Sequence, residues 1–236
     1  SGRSLFCLPR ALRACGRTGL ANAVDIDQCN SHFHAQLARH PGKAALVQYT
    51  RERDATLASV MEAGVAREAA KVLFLQLAYG GSVASWCAEH GVAEDSLPGF
   101  VRQFADEQAA IRAEDAEKHP ELLAKMKDKK RPEIALQSHI NMRWERDVLD
   151  AMAAAVRGLA SIGSYEHDGL YLYNPRLDPN DEDGGRAWQQ KVLDRVRAQV
   201  GTPISIKQPP SFEDVLAELR ERWPAEDWDT CDECPV

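Results

Sequence analysis

Apolar residues along this chain recur mostly three and four positions apart, the spacing of one helix face, and only a few short stretches alternate as strands do. In Gly19–Asp27, Val24 and Ile26 alternate with Asp25 and Asp27, which predicts a strand that turns both carboxylates to one face. The pattern becomes helical from His32 to His40 and stops at Pro41-Gly42. Lys43–Glu62 reads as a further helix on Leu46, Val47, Leu57, Val60 and Met61. Ala66–Tyr79 follows with good helix formers, an apolar face of Ala70, Leu73, Phe74 and Leu77, and Gly80-Gly81 as its stop. Ser82–Glu117 holds two helices broken around Leu97-Pro98-Gly99, Lys118–Pro132 reads as an exposed charged connection, and Ile134–Leu159 as a long amphipathic helix. A turn at Ser161–Ser164 leads into a hairpin over Tyr165–Tyr173. An acidic loop over Pro175–Gly185, a helix over Ala187–Val200, a strand over Thr202–Lys207 and a helix over Phe212–Trp223 capped by Ser211 complete the pattern. Many helices and few strands predict an α+β fold.

The 236 residues are 44% hydrophobic, enough for one large core or two modest ones. No uninterrupted apolar run approaches the roughly 20 residues that span a bilayer, and Arg10, Arg13 and Arg17 interrupt Leu5–Leu20 where a secretory signal would be continuously apolar. The expectation is an intracellular protein with no membrane partner. Cys7, Cys15, Cys29 and Cys87 are scattered and read as reduced thiols, while Cys231-x-x-Cys234 has no second pair and reads as part of a disordered acidic tail. The net charge of −7 argues against a uniformly basic nucleic-acid binder. A local basic track is a different matter, and Lys125, Lys127, Lys129, Lys130 and Arg131 supply one.

Three separated segments point to one chemistry: Asp25-Ile26-Asp27, then Arg67-x-x-x-Lys71 with Tyr79-Gly80, then His167-Asp168-Gly169. Phosphoryl transfer between nucleotides uses two divalent cations about 3.5–4 Å apart. Magnesium, or manganese in its place, prefers oxygen ligands and keeps several waters, so Asp25 and Asp168 from neighbouring strands suffice to hold the ions once phosphates join them. Asp27 is either a further ligand or a structural acceptor. At about 3.6 residues per turn, Arg67, Lys71 and then Gln76 or Tyr79 line much of one helix side, presenting cations to a triphosphate and a ring to a base. Lys71 is placed to neutralise, and to protonate, a leaving pyrophosphate. Glycine at position 80 lets the backbone lie flat against a base pair or ribose.

The segment from Arg67 through Lys71 to Tyr79-Gly80, with seven residues between lysine and tyrosine, resembles the nucleotide-binding fingers helix of family A DNA polymerases. Tyr165-Glu166-His167-Asp168 resembles that family's third motif, with Gly169 in place of a final acid. Asp25-Ile-Asp-Gln-Cys-Asn30 resembles the first, with Asn30 at the position that discriminates the sugar. Gln137 sits on a helix similar to the one that contacts template and primer. The wording around Asp25 and the downstream His-Asp-Gly is also similar to polymerase-like proteins of viruses, phages and mobile elements. The resemblance implies a palm of small antiparallel sheet backed by helices, built from residues 1–40 and 133–224, with helical fingers over 41–132 and an acidic tail over 225–236. It implies DNA polymerase activity with two magnesium ions, primer–template and dNTPs as partners, and a thumb or accessory domain from a longer polypeptide or a partner. Asp25 and Asp168 are then metal ligands, Arg67, Lys71, Gln76, Tyr79, Gly80 and Asn30 bind the nucleotide, and Gln137 and His167 meet the nucleic acid.

Two other classes fit part of the pattern. His32-x-His34 with Asp168 suggests a zinc or manganese phosphoesterase, although residues two apart on a helix point different ways. The same fold without catalysis would be a nucleic-acid-binding or assembly module. Each residue also has a plain reading: an Asp-x-Asp at a solvated strand end, Arg67 and Lys71 on an exposed helix face, His167 packed in a turn, Gln76 inside a helix.

Overall fold

The computed structural model describes residues 20–165, 168–207 and 217. The chain divides into two compact units, one of Ser1–Cys29 with Leu149–Val236 and one of Asn30–Val148. The divisions fall at 29/30 and 148/149, 11 and 16 residues from the 40/41 and 132/133 boundaries expected from sequence.

The first unit is built on four strands: β1 (Ala23–Gln28), β2 (Ser161–Tyr165), β3 (Gly169–Tyr173) and β4 (Ile204–Lys207), in the order β2-β3-β1-β4 with antiparallel pairing throughout. Alternation along β1 decides its two faces. Val24 and Ile26 are buried with Leu170, Leu172 and Ile204, while Asp25 and Asp27 stand on the opposite face. Helix α9 (Glu182–Gln199) backs β1 and β4 and buries Trp188, Val192, Leu193 and Val196. Its first turn lies upstream of the expected start because Asp181 accepts from the Gly184 N–H at 3.0 Å, and Glu182 and Asp183 suit the positive helix end.

Residues 161–164 are strand, not the expected turn. Gly163 sits at an irregularity in the β2–β3 register, and a Cβ there would come within 2.6 Å of the Tyr171 ring. A glycine that reads as turn chemistry is a bulge residue beneath an aromatic side chain.

The second unit is helical: α1 (Ser31–Arg39), α2 (Ala44–Arg51), α3 (Arg53–Met61), α4 (Arg67–Ala78), α5 (Val83–His90), α6 (Gly99–Lys118), α7 (Pro120–Lys125) and the greater part of α8 (Pro132–Ala155), whose last turns belong to the first unit. The helix expected over Lys43–Glu62 breaks at Glu52 (φ −119°, ψ 36°), and the two pieces serve different neighbours: α2 packs on α1 and α6, α3 on α4. The connection expected over 118–132 contains α7, because Pro120 at a first helical position is compatible with a helix that proline would break further in. An aromatic cluster holds the unit together, with ring centroids 4.7 Å apart for Phe33–Tyr49, 4.5 Å for Tyr49–Phe74 and 5.1 Å for Phe74–Phe104. Among the described residues no helix is long and apolar enough to cross a membrane. The predicted helix over 212–223, the Cys231–Cys234 pair and the N-terminal stretch before Leu20 lie outside the described residues.

Candidate functional site

In the first unit the chemistry gathers on the half-buried face of β1 that lies opposite Val24 and Ile26. Register pairs Asp25 with Tyr171 and Asp27 with Gly169, and the Gln28 N–H donates to the Asp168 carbonyl at 2.9 Å. Asp168 therefore lies at the Asp27 end of the strand pair, and it is the Asp27 carboxyl that shares a hydrogen bond with Asp168. Burial first, then the hydrogen bond and the charge of Asp168, raise the Asp27 pKa to about 7. Lys207 opposes this rise. Its Nζ lies 3.2 Å from Asp27 Oδ1 and 4.0 Å from Asp168 Oδ1.

Gly169 makes this approach of β1 and β3 feasible. A Cβ at that position would meet the Ile26 carbonyl oxygen at 2.3 Å and Asp27 Oδ1 at 3.0 Å. The residue that stands where the resembled motif has an acid has no room for any side chain in this sheet. His167 lies outside the described residues.

Two carboxyls in contact, a third on the same strand face and one ammonium form a hard, oxygen-rich donor set of net negative charge. Magnesium takes such a set with few protein ligands, because waters and phosphates complete its shell, and the raised Asp27 pKa reports burial first and the crowding by Asp168 second, both of which a cation would offset. The residues fit a divalent ion in that sense. Among the described residues, no three His, Cys, Asp or Glu side chains are grouped to enclose an ion by themselves.

In the second unit α4 carries the cations. Arg67 pairs with Asp54, and Lys71 Nζ lies 2.6 Å from Glu68 Oε1. Both are surface pairs, whose small worth makes exchange for a phosphate inexpensive. Ala70, Leu73, Phe74, Leu77 and Ala78 form the buried face, while Val72 and Leu75 remain 40% and 42% exposed on the outer side. The helix ends where Gly80 takes φ +75° and the Gly81 N–H returns to the Gln76 carbonyl at 2.7 Å. Arg112 Nη1 donates to the Leu77 and Ala78 carbonyls at 3.0 and 3.1 Å, closing the free helix end with a positive charge.

Tyr79 is held in a chain of polar groups invisible in the sequence. Asn141 Nδ2 donates to the Tyr79 hydroxyl at 3.4 Å, that hydroxyl bonds His32 Nδ1, and His32 Nε2 faces Glu145 Oε1 at 3.0 Å. Asn141 Oδ1 accepts from Arg39, and Arg39 reaches Asp115 at 3.2 Å, which accepts from His40 Nε2 at 2.8 Å. Burial pushes the Tyr79 pKa up, keeping the phenol a proton donor. Both His32 ring nitrogens are engaged, and α1 is a helix through His34, so the His-x-His side chains diverge by roughly 200°. Burial also lowers the His34 pKa.

Asn30 adopts the left-handed conformation (φ 52°, ψ 41°) that joins β1 to α1, a backbone role asparagine tolerates better than most residues. Gln137 is fully buried, and neither amide atom has a hydrogen-bond partner among the described residues. Lys207, Asn141 and Glu145 are contributors that sequence spacing had no means of placing; each reaches its partner across a distance set by tertiary pairing.

No protein-family model matches the chain, and no curated protein does. Among solved structures 44 chains match, including the POL domain of Pol1 from M. smegmatis in complex with DNA primer-template and dNTP, at TM-score 0.56 and 14% identity. The alignment covers 83% of this chain and 41% of that one. The fold is polymerase-like. This chain spans about two fifths of that POL-domain chain, and a small antiparallel sheet backed by helices is the part of the polymerase-like fold that carries Asp25, Asp27 and Asp168.

Proposed function

We propose that this chain performs template-directed nucleotidyl transfer, extending a primer with dNTPs in the manner of a divergent family A-like DNA polymerase. The observation that carries the reading is the contact of the Asp27 and Asp168 carboxyls beside Asp25 on one strand face, in a fold similar to that of a polymerase POL domain. Asp25, Asp27 and Asp168 would hold the magnesium ions, and magnesium, when bound, activates the primer hydroxyl and neutralises the triphosphate. Arg67 and Lys71 release Asp54 and Glu68 to grip the triphosphate, and the Lys71 ammonium gives its proton to the departing pyrophosphate. Tyr79 and Gly80 bound the nascent pair, Gln76 and Asn30 contact the nucleotide, the latter at its sugar, and His167 meets the primer–template; Gln137, expected from sequence to do the same, is fully buried and does not.

The test is primer extension on a matched template with magnesium. Asp25→Ala and Asp168→Ala each abolish incorporation, and melting curves stay cooperative because neither side chain belongs to the buried core and losing Asp168 removes a carboxylate crowded against Asp27. Full synthesis by either variant defeats the assignment. Template binding with no incorporation by the unaltered chain under magnesium or manganese turns the reading into that of a non-catalytic nucleic-acid-binding module.

A further inference from the structure

Lys207 closes β4 as its last residue. Its Cα stands opposite Asp25 in the β1–β4 register, so its side chain rises on the face that carries Asp25 and Asp27. From there the Nζ reaches diagonally to Asp27 Oδ1 at 3.2 Å and to Asp168 Oδ1 at 4.0 Å. One positive charge thus serves two carboxyls, one on β1 and one on the residue that precedes β3. The backbone of Lys207 is fixed by sheet pairing, but its four-carbon stem is flexible and its side chain is 33% exposed. The ammonium can therefore leave the carboxyls without disturbing the strand that delivers it.

A divalent cation held by Asp27 and Asp168 needs the same oxygens. Two cations cannot share them, because like charges about 4 Å apart repel strongly at the effective dielectric of a partly buried site. We propose that Lys207 is the chain's own counter-ion for this carboxylate site, holding Asp27 and Asp168 together until a divalent ion takes the same oxygens, and thereby weakening the site's affinity for that ion. The proposal rests on the metal-binding role given to Asp27 and Asp168 above. It makes Lys207 a positioning residue whose first effect is on metal affinity and only through it on turnover.

Lys207→Met keeps the length and apolar stem of the side chain and removes the charge. Free manganese counted by electron paramagnetic resonance gives the dissociation constant without any need for catalysis. Lys207→Met should bind manganese about tenfold more tightly than the unaltered chain, and Lys207→Arg, which keeps the charge, should stay within about twofold of it. Equal affinities for the unaltered chain and Lys207→Met overturn the role of the lysine and leave the metal site standing. Absence of manganese binding in all three proteins defeats the metal site and the lysine's role together.

A measurement on the unaltered chain covers the case in which Lys207→Met does not fold. Labelling with an amine-reactive ester, read by peptide mass spectrometry with exposed Lys191 as internal reference, should become several-fold faster at Lys207 when magnesium is added. Unchanged or slower labelling at a magnesium concentration that raises the melting temperature overturns the proposal.

Discussion

Gly169 and Asp27 show how much hangs on single positions. From the sequence alone Gly169 is a departure from an acidic motif; in the sheet it is the residue that lets β3 approach the Ile26 carbonyl, with only 2.3 Å available to a Cβ. Gly169→Ala is expected to destabilise the protein by about 1–3 kcal/mol, read as a lower urea midpoint, and to reduce primer extension with it. A variant with an unchanged midpoint would show that the strands have room. The raised Asp27 pKa, about 7 against an ordinary 3.8, has a definite consequence for stability. Between those values the folded protein holds more protons than the unfolded one, so this contribution is fully present below the unfolded value and is lost as pH rises through the folded one. In EDTA, melting temperature should therefore fall from about pH 4 to about pH 7 through this group, and Asp27→Asn should flatten that decline. Parallel profiles for the two proteins would refute the crowding of Asp27 and Asp168.

Helix α4 was legible because its apolar spacing, its glycine stop and its length are all local properties. Its inner and outer faces predict opposite outcomes. Phe74→Ala removes a ring packed against Tyr49 and edge-to-face with Phe104 and should cost about 3–5 kcal/mol, whereas Leu75→Ala on the exposed side should change stability by no more than about 0.5 kcal/mol. Chemical denaturation checks both, and similar losses would mean that the outer face is covered. Other elements were illegible for physical reasons. Ser161–Tyr165 carries glycine and serine in a strand, because a bulge and the Tyr171 ring supply what side chains usually do. Pro120 starts a helix instead of ending one. The break at Glu52 answers to the different neighbours of α2 and α3, which no periodicity within 43–62 records.

At the scale of the whole molecule, a ligand that binds only the folded chain stabilises it by an amount that grows with the logarithm of ligand concentration above its dissociation constant, and so raises its melting temperature. Primer–template with magnesium and the matched dNTP should shift the melt upward by more than any one of them alone, and the Asp25→Ala and Asp168→Ala variants should lose the increment due to nucleotide. A phosphoesterase built on His32 and His34 would show no dependence on template, and an inactive binding module would respond to nucleic acid but not to nucleotide. The sequence by itself determined the class of the fold, the helix faces and the common side of Asp25 and Asp27, because periods of two and about 3.6 are written in neighbouring residues. Only the tertiary structure decided that Asp168 meets Asp27, that Lys207 stands over both, and that Tyr79 is tied through His32 to Glu145. Those contacts join residues from 39 to 180 positions apart in sequence. Strand register and side-chain reach fix them, and neither leaves a trace in local spacing.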